Sequence, residues 1–93
     1  MGIYAITGAS SGIGAAIGRQ LKAQGHYVIN ISRRAAAEDA ADVNISADLA
    51  MKAERGRALE ALYAAAPDGL DGFVSCSGVG PTQPADVIVS INY

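Results

Sequence analysis

Short uncharged apolar runs alternate along this chain with stretches whose apolar residues recur at helical spacing. The run Ile3-Tyr4-Ala5-Ile6 stops at a cluster of glycines, which suits a central parallel strand covered on both faces. Beyond it Ile13, Ile17 and Leu21 recur every four residues, and Gly25 can supply a left-handed cap, so a helix is predicted from Gly12 to Gln24. His26 to Ile31 reads as a second strand, Asp42 to Asp48 holds a short third, and Phe73 to Cys76 forms a fourth. The alanine-rich, acidic stretch Ala35 to Ala41 is consistent with a short helix or a loop. Residues 50–66 are the clearest helix by period: Leu59, Leu62, Tyr63 and Ala66 share a face, with Lys52, Glu54, Arg57 and Glu60 pointing outward. Gly56 weakens it by about 1 kcal/mol relative to Ala, and Pro67-Asp68-Gly69 ends it.

This alternation predicts an α/β fold, a parallel sheet with helices on both faces. Right-handed crossovers favour the strand order 3-2-1-4, with a ligand at the switch point beside the first strand. Residues 1–93 read as a single unit without repeats or linker. A domain of this size hides only about 60–65% of its extended-chain surface.

The glycines after the first strand, Gly8, Gly12 and Gly14, lie at that switch point. Gly8 permits a tight turn, Gly12 lets the backbone approach a ligand closely, and Gly14 lets the helix pack hard on the strand. The unpartnered N–H groups of the first helical turn and the helix dipole then favour a pyrophosphate. Gly8, Ser10, Ser11, Gly12, Ile13 and Gly14 are therefore candidate cofactor-binding residues. Three glycines beside a strand also serve simply as a tight turn.

The spacing Gly-x-x-x-Gly-x-Gly differs from the general Gly-x-Gly-x-x-Gly fingerprint. The string Thr7 to Gly14, TGASSGIG, resembles the cofactor loop of the short-chain dehydrogenase/reductase family, which implies a Rossmann-type fold. Ser32 stands where NAD-preferring members of that family carry Asp, and Arg33 and Arg34 follow it. An acid there would bind the 2′-hydroxyl of NAD, whereas a guanidinium can clasp a 2′-phosphate. NADP(H) is therefore expected over NAD(H); the competing reading is two solvated arginines ending a strand. Asp48-Leu49 resembles the family's adenine contact, and Asp48 equally suits a cap for the next helix.

Phe73 to Gly78 occupies the place of the family's Asn-Asn-Ala-Gly strand end, where only Gly78 matches. The backbone of Cys76, Ser77 and Gly78 is expected to border the cofactor ribose, with Cys76 itself a packed, inert thiol. The stretch Asp71 to Pro81, with Val87 to Tyr93, is similar to bacterial hydroxysteroid dehydrogenase/carbonyl reductases, and Asn92 matches the family's tetrad Asn, a supporting position only. The resemblance implies that this segment opens a helix, although Val87-Ile88-Val89-Ser90-Ile91 has the composition of a strand. It covers the first third or so of a family member, so the catalytic Ser and Tyr-x-x-x-Lys are absent from the sequence. The chain is expected to be the cofactor half of an enzyme exchanging hydride with a ketone or secondary alcohol, or else a non-catalytic NADP-binding module or half of a split protein. No turnover is expected from residues 1–93 alone. A homo-oligomer is expected, with the isolated chain associating through its apolar tail or the open edge of the fourth strand.

Composition narrows the classes further. At 51% hydrophobic and 17% charged the chain is globular. A net charge of −2 makes no electrostatic case for nucleic acid or anionic membrane. No apolar run approaches membrane-spanning length and no secretory signal precedes the first strand, so a cytoplasmic location is expected. Cys76, the only cysteine, excludes an internal disulfide and a cysteine metal cluster, and no metal is assigned. His26, the only histidine, is read as a surface residue without a role.

Overall fold

The computed structural model describes residues 1–10, 12–76 and 88–90, the last three by their backbone. Strands β1 (Ile3–Thr7), β2 (Tyr27–Ser32), β3 (Val43–Ser46), β4 (Gly72–Ser75) and β5 (Ile88–Ser90) form one sheet, with helices α1 (Gly12–Ala23) and α2 (Lys52–Ala65). The strand order is β3-β2-β1-β4-β5, and the first four strands are parallel. The expected 3-2-1-4 core is thus present. β1 lies at its centre, with Ile6 beside Asn30 of β2 and Val74 of β4.

Alternation along β1 divides the core. Ala5 joins Ile29, Ile31 and Ile45 on the face covered by Ala58 and Leu62 of α2 and by Ala66 beyond it. Ile6 joins Val28 and Val74 on the other face, against Ile17 and Leu21 of α1. No helix follows β2 directly: the alanine-rich segment is a loop with a turn at residues 38–40. Ala36, Ala40 and Ala41 from this loop fill the same core as α1. It packs so closely that a Cβ on Gly18 would fall on the Ala40 carbonyl oxygen.

Three expectations change. Leu59 and Tyr63 do not share the buried face of α2; they are 49% and 66% exposed. The helix seats the row Ala58, Leu62 and Ala66, spaced four apart, on the sheet, and small alanines allow the closer approach. Secondly, His26 is half-buried and structural: its Nδ1 accepts from the Gly2 N–H at 2.9 Å, and its ring meets Tyr4 edge-on at 4.9 Å. Thirdly, β4 does not end in an open edge. β5 pairs with it antiparallel, Phe73 opposite Ser90 and Ser75 opposite Ile88. In this chain residues 88–90 therefore follow their β propensity and take up the available edge, rather than the helix implied for longer family members.

Local chemistry fixes the element ends. Gly25, at φ 88°, closes α1: its N–H donates to the Lys22 carbonyl and the His26 N–H to that of Leu21, a Schellman arrangement. Asp42 and Asp71, just ahead of β3 and β4, use a carboxylate to accept from the adjacent strand nearer the centre of the sheet. Val28 N–H meets Asp42 Oδ2 at 2.8 Å, and Ile3 N–H meets Asp71 Oδ2 at 2.6 Å. Lys22 of α1 pairs with the other oxygen of Asp42 at 3.1 Å. No described helix is long and apolar enough to cross a membrane.

Candidate nucleotide-binding site

The parallel strands bring the candidate residues to one edge of the sheet, their C-terminal ends. β1 runs into the elbow at Gly8, β2 ends at Ser32 ahead of Arg33 and Arg34, β3 leads to Asp48 and Leu49, and β4 leads to Cys76. Ser11, Ser77, Gly78 and Asn92 lie outside the described residues.

The elbow has the form expected of its glycines. Gly8 sits at φ 85°, where an L side chain is strained, and its N–H donates to the Ile31 carbonyl at 3.1 Å. Gly12, at φ 60°, begins α1, and a Cβ there would meet nothing within 4 Å. At Gly14 a Cβ would fall on the Gly8 carbonyl oxygen, so its absence is what lets the helix start against the turn. Ser10 is half-buried and Ile13 is 52% exposed. Among the described residues the turn thus leaves Gly12 exposed beside the close contact of Gly14 with Gly8.

Two polar side chains within the sheet hold this edge together. Thr7 Oγ1 accepts from the Cys76 N–H at 3.1 Å, tying β1 to the end of β4. Asn30, fully buried, accepts the Ala9 N–H at its Oδ1, 2.9 Å away, and so anchors the elbow. Its Nδ2 lies 3.0 Å from Ser32 Oγ, 3.1 Å from the Arg34 carbonyl and 2.9 Å from Asn44 Oδ1. Asn44 Oδ1 also accepts the Ala36 N–H at 2.8 Å. Neither asparagine was singled out from the sequence. The available signal was a lone amide in the otherwise apolar run Tyr27-Val28-Ile29-Asn30-Ile31, since a buried polar group must find partners.

Ser32 Oγ donates to the Arg34 carbonyl, folding the strand end into a turn. Arg33 and Arg34 are exposed, and neither makes an ion pair among the described residues. Asp48 does not cap α2: the N-cap is Met51, without a side-chain bond, while Asp48 Oδ1 accepts from the Ala50 N–H in the preceding turn at 3.1 Å. The start of α2 is held instead by Glu54 and Arg57, 2.7 Å apart, with Arg57 also donating to the Ser46 carbonyl at 2.7 Å. Hydrogen bonding from Arg57 holds the Glu54 carboxyl below its usual range. Cys76 is buried, and burial pushes its thiol pKa up, which favours the protonated thiol.

Comparison with known proteins agrees with this geometry. No protein-family model matches the chain. The whole chain aligns with a 3-alpha-hydroxysteroid dehydrogenase/carbonyl reductase of Comamonas testosteroni at 37% identity, over 34% of that protein. A coniferyl-alcohol dehydrogenase of Pseudomonas sp. strain HR199 is 32% identical, over 95% of this chain and 32% of the relative. Among solved structures, the 3-alpha-hydroxysteroid dehydrogenase of Pseudomonas sp. B-0831, complexed with NADH, superposes with a TM-score of 0.70 at 42% identity, covering 83% of this chain and 31% of that one. The chain spans about a third of the length of the curated relatives it matches.

Proposed function

We propose that this chain, similar over its whole length to about a third of a 3-alpha-hydroxysteroid dehydrogenase/carbonyl reductase, is the NADP(H)-binding, N-terminal part of an oxidoreductase of the short-chain dehydrogenase/reductase family that exchanges hydride with a ketone or secondary alcohol. The observation that carries this reading is the turn at the end of β2, where two exposed arginines without an ion pair among the described residues, Arg33 and Arg34, follow Ser32, at the strand end that in a βαβ dinucleotide unit faces the adenosine ribose. The NADH in the related structure supports a nicotinamide dinucleotide as the ligand class. The missing acid and the exposed guanidinium groups support the phosphorylated form.

In this reading the backbone of Ser10, Ser11, Gly12 and Ile13 holds the pyrophosphate, with Gly8 and Gly14 shaping the turn. Arg33 and Arg34 hold the 2′-phosphate beside Ser32. Asp48 and Leu49 border the adenine, and the backbone of Cys76, Ser77 and Gly78 borders the cofactor ribose. Bound NADP(H) supplies or accepts the hydride. Asn92 is a supporting residue for proton transfer in a longer polypeptide. A small carbonyl or alcohol, steroid-like in the relatives' manner, a homo-oligomeric assembly and a cytoplasmic location belong to the same proposal.

Direct titration with both cofactors tests it. A charged hydrogen bond to phosphate contributes roughly 1.5–3 kcal/mol, so NADP(H) should bind more than tenfold tighter than NAD(H). Replacing Ser32 by Asp together with Arg33→Gln should reverse the order. Equal affinities in the unaltered chain, or tighter NAD(H), would refute the preference.

A further inference from the structure

Asn30 faces two ways. Its Oδ1 carries the Ala9 N–H of the glycine elbow, while its Nδ2 reaches the turn after β2 through Ser32 Oγ and the Arg34 carbonyl, and β3 through Asn44. The amide has two N–H groups for three acceptors, and the Ser32 hydroxyl adds its own donation to Arg34. Asn44 serves as acceptor only, taking Asn30 Nδ2 and the Ala36 N–H on the same oxygen. Residues 32 to 36 are thereby pinned at both ends: at Ser32 and Arg34 by Asn30, and at Ala36 by Asn44. Arg33 and Arg34 project from this pinned segment and are themselves exposed.

We propose that Asn30 and Asn44 form a pair of positioning residues that pre-set the turn carrying Arg33 and Arg34 for a nucleotide 2′-phosphate. Asn30 also serves the pyrophosphate elbow, whereas Asn44 serves the 2′-phosphate turn alone. The Ser32 hydroxyl belongs to the same frame, being committed to Arg34 rather than free for the ligand. The physical reason is entropic. Two long arginine side chains on a loose loop must be ordered at the moment of binding, and a backbone already fixed by part-buried amide bonds removes that part of the cost. This inference rests on the NADP(H) reading above.

The two asparagines make separable predictions for binding of 2′,5′-ADP and of 5′-ADP, which differ by the 2′-phosphate. Asn44→Ala should weaken 2′,5′-ADP at least fivefold while leaving 5′-ADP within twofold, because the elbow keeps its Ala9 bond. Asn30→Ala should weaken both probes, since the elbow and the turn lose their anchor together. Asn44→Ser, whose hydroxyl can accept one of the two bonds, should fall between Asn44→Ala and the unaltered chain, and it stands in where Asn44→Ala does not fold. A merely structural role would lower both affinities in parallel for every variant. An unchanged ratio of the two affinities in the Asn44 variants, with the unaltered chain preferring 2′,5′-ADP, would overturn the positioning role and leave the NADP(H) reading intact. No preference in the unaltered chain would overturn both.

Discussion

The same substitution, Gly to Ala, should act in opposite directions in the two helices. At Gly56, inside α2, an added Cβ meets nothing within 4 Å, so only the helix propensity changes. At Gly14, in the first turn of α1, the Cβ falls on the Gly8 carbonyl oxygen, with the Gly8 carbonyl carbon at 2.7 Å and Ala9 Cα at 3.2 Å. These are backbone atoms of the elbow and cannot swing aside like a side-chain end. Ordinary contact begins at 3.4 Å, so α1 and the elbow must separate by more than an ångström. Overpacking of this kind costs about 1–3 kcal/mol, against a propensity gain of about 1 kcal/mol. Gly14→Ala should therefore unfold up to about 2 kcal/mol more easily than the unaltered chain, and Gly56→Ala about 0.5–1 kcal/mol less easily. Urea titrations followed by far-ultraviolet circular dichroism measure both, read as midpoint shifts at constant slope. For a domain of this size each kcal/mol corresponds to about 4–8 °C in Tm. Gly14→Ala matching Gly56→Ala in stability would refute the close packing of helix on turn.

Three further outcomes are expected. Because Arg57 depresses the Glu54 pKa, their pairing stabilises the fold fully above the ordinary carboxylate value of 4.5 and loses its effect as pH falls through the lower folded value. The stability difference between the unaltered chain and Glu54→Gln should thus shrink from pH 7 towards pH 3, and a difference that grows on acidification would contradict the pairing. Thr7→Val should cost about 1 kcal/mol or less, because the Cys76 N–H keeps the Thr7 carbonyl when the hydroxyl is lost; a chemical denaturation curve shifted by several times that amount would disprove it. Cys76 should react slowly with a disulfide reagent in the native chain and rapidly in denaturant, as burial keeps the thiol protonated. Equal rates in both states would show the thiol to be accessible.

The glycine elbow was legible because backbone conformation is a local property. Gly8 and Gly12 adopt positive φ, and Gly25 does so at the helix end, where only a residue without a Cβ is comfortable. The parallel core followed from the alternation of runs and periods, since a strand buried on both faces carries no alternation of its own and a crossover must be right-handed. Ser32, Arg33 and Arg34 were placed by the same logic, at the end of β2.

What the tertiary structure decided concerns contacts between distant segments. A helix such as α2, with apolar residues on more than one side, has no preferred rotation until a sheet selects one, so Ala58 and Leu62 are buried while Leu59 and Tyr63 face solvent. Gly18 matters only because the loop at Ala40 lies against it, twenty-two positions on in sequence. Residues 88–90 are a strand here because the β4 edge is available to them. Asn30 shows the limit most clearly. Its type and its place in an apolar run already demanded partners, yet which backbone it would hold depended on the glycine elbow, the turn after β2 and Asn44 all converging on one buried amide. Local periodicity and glycine chemistry determine elements and turns by themselves; the partners of a buried polar group are settled only when the chain has folded back on itself.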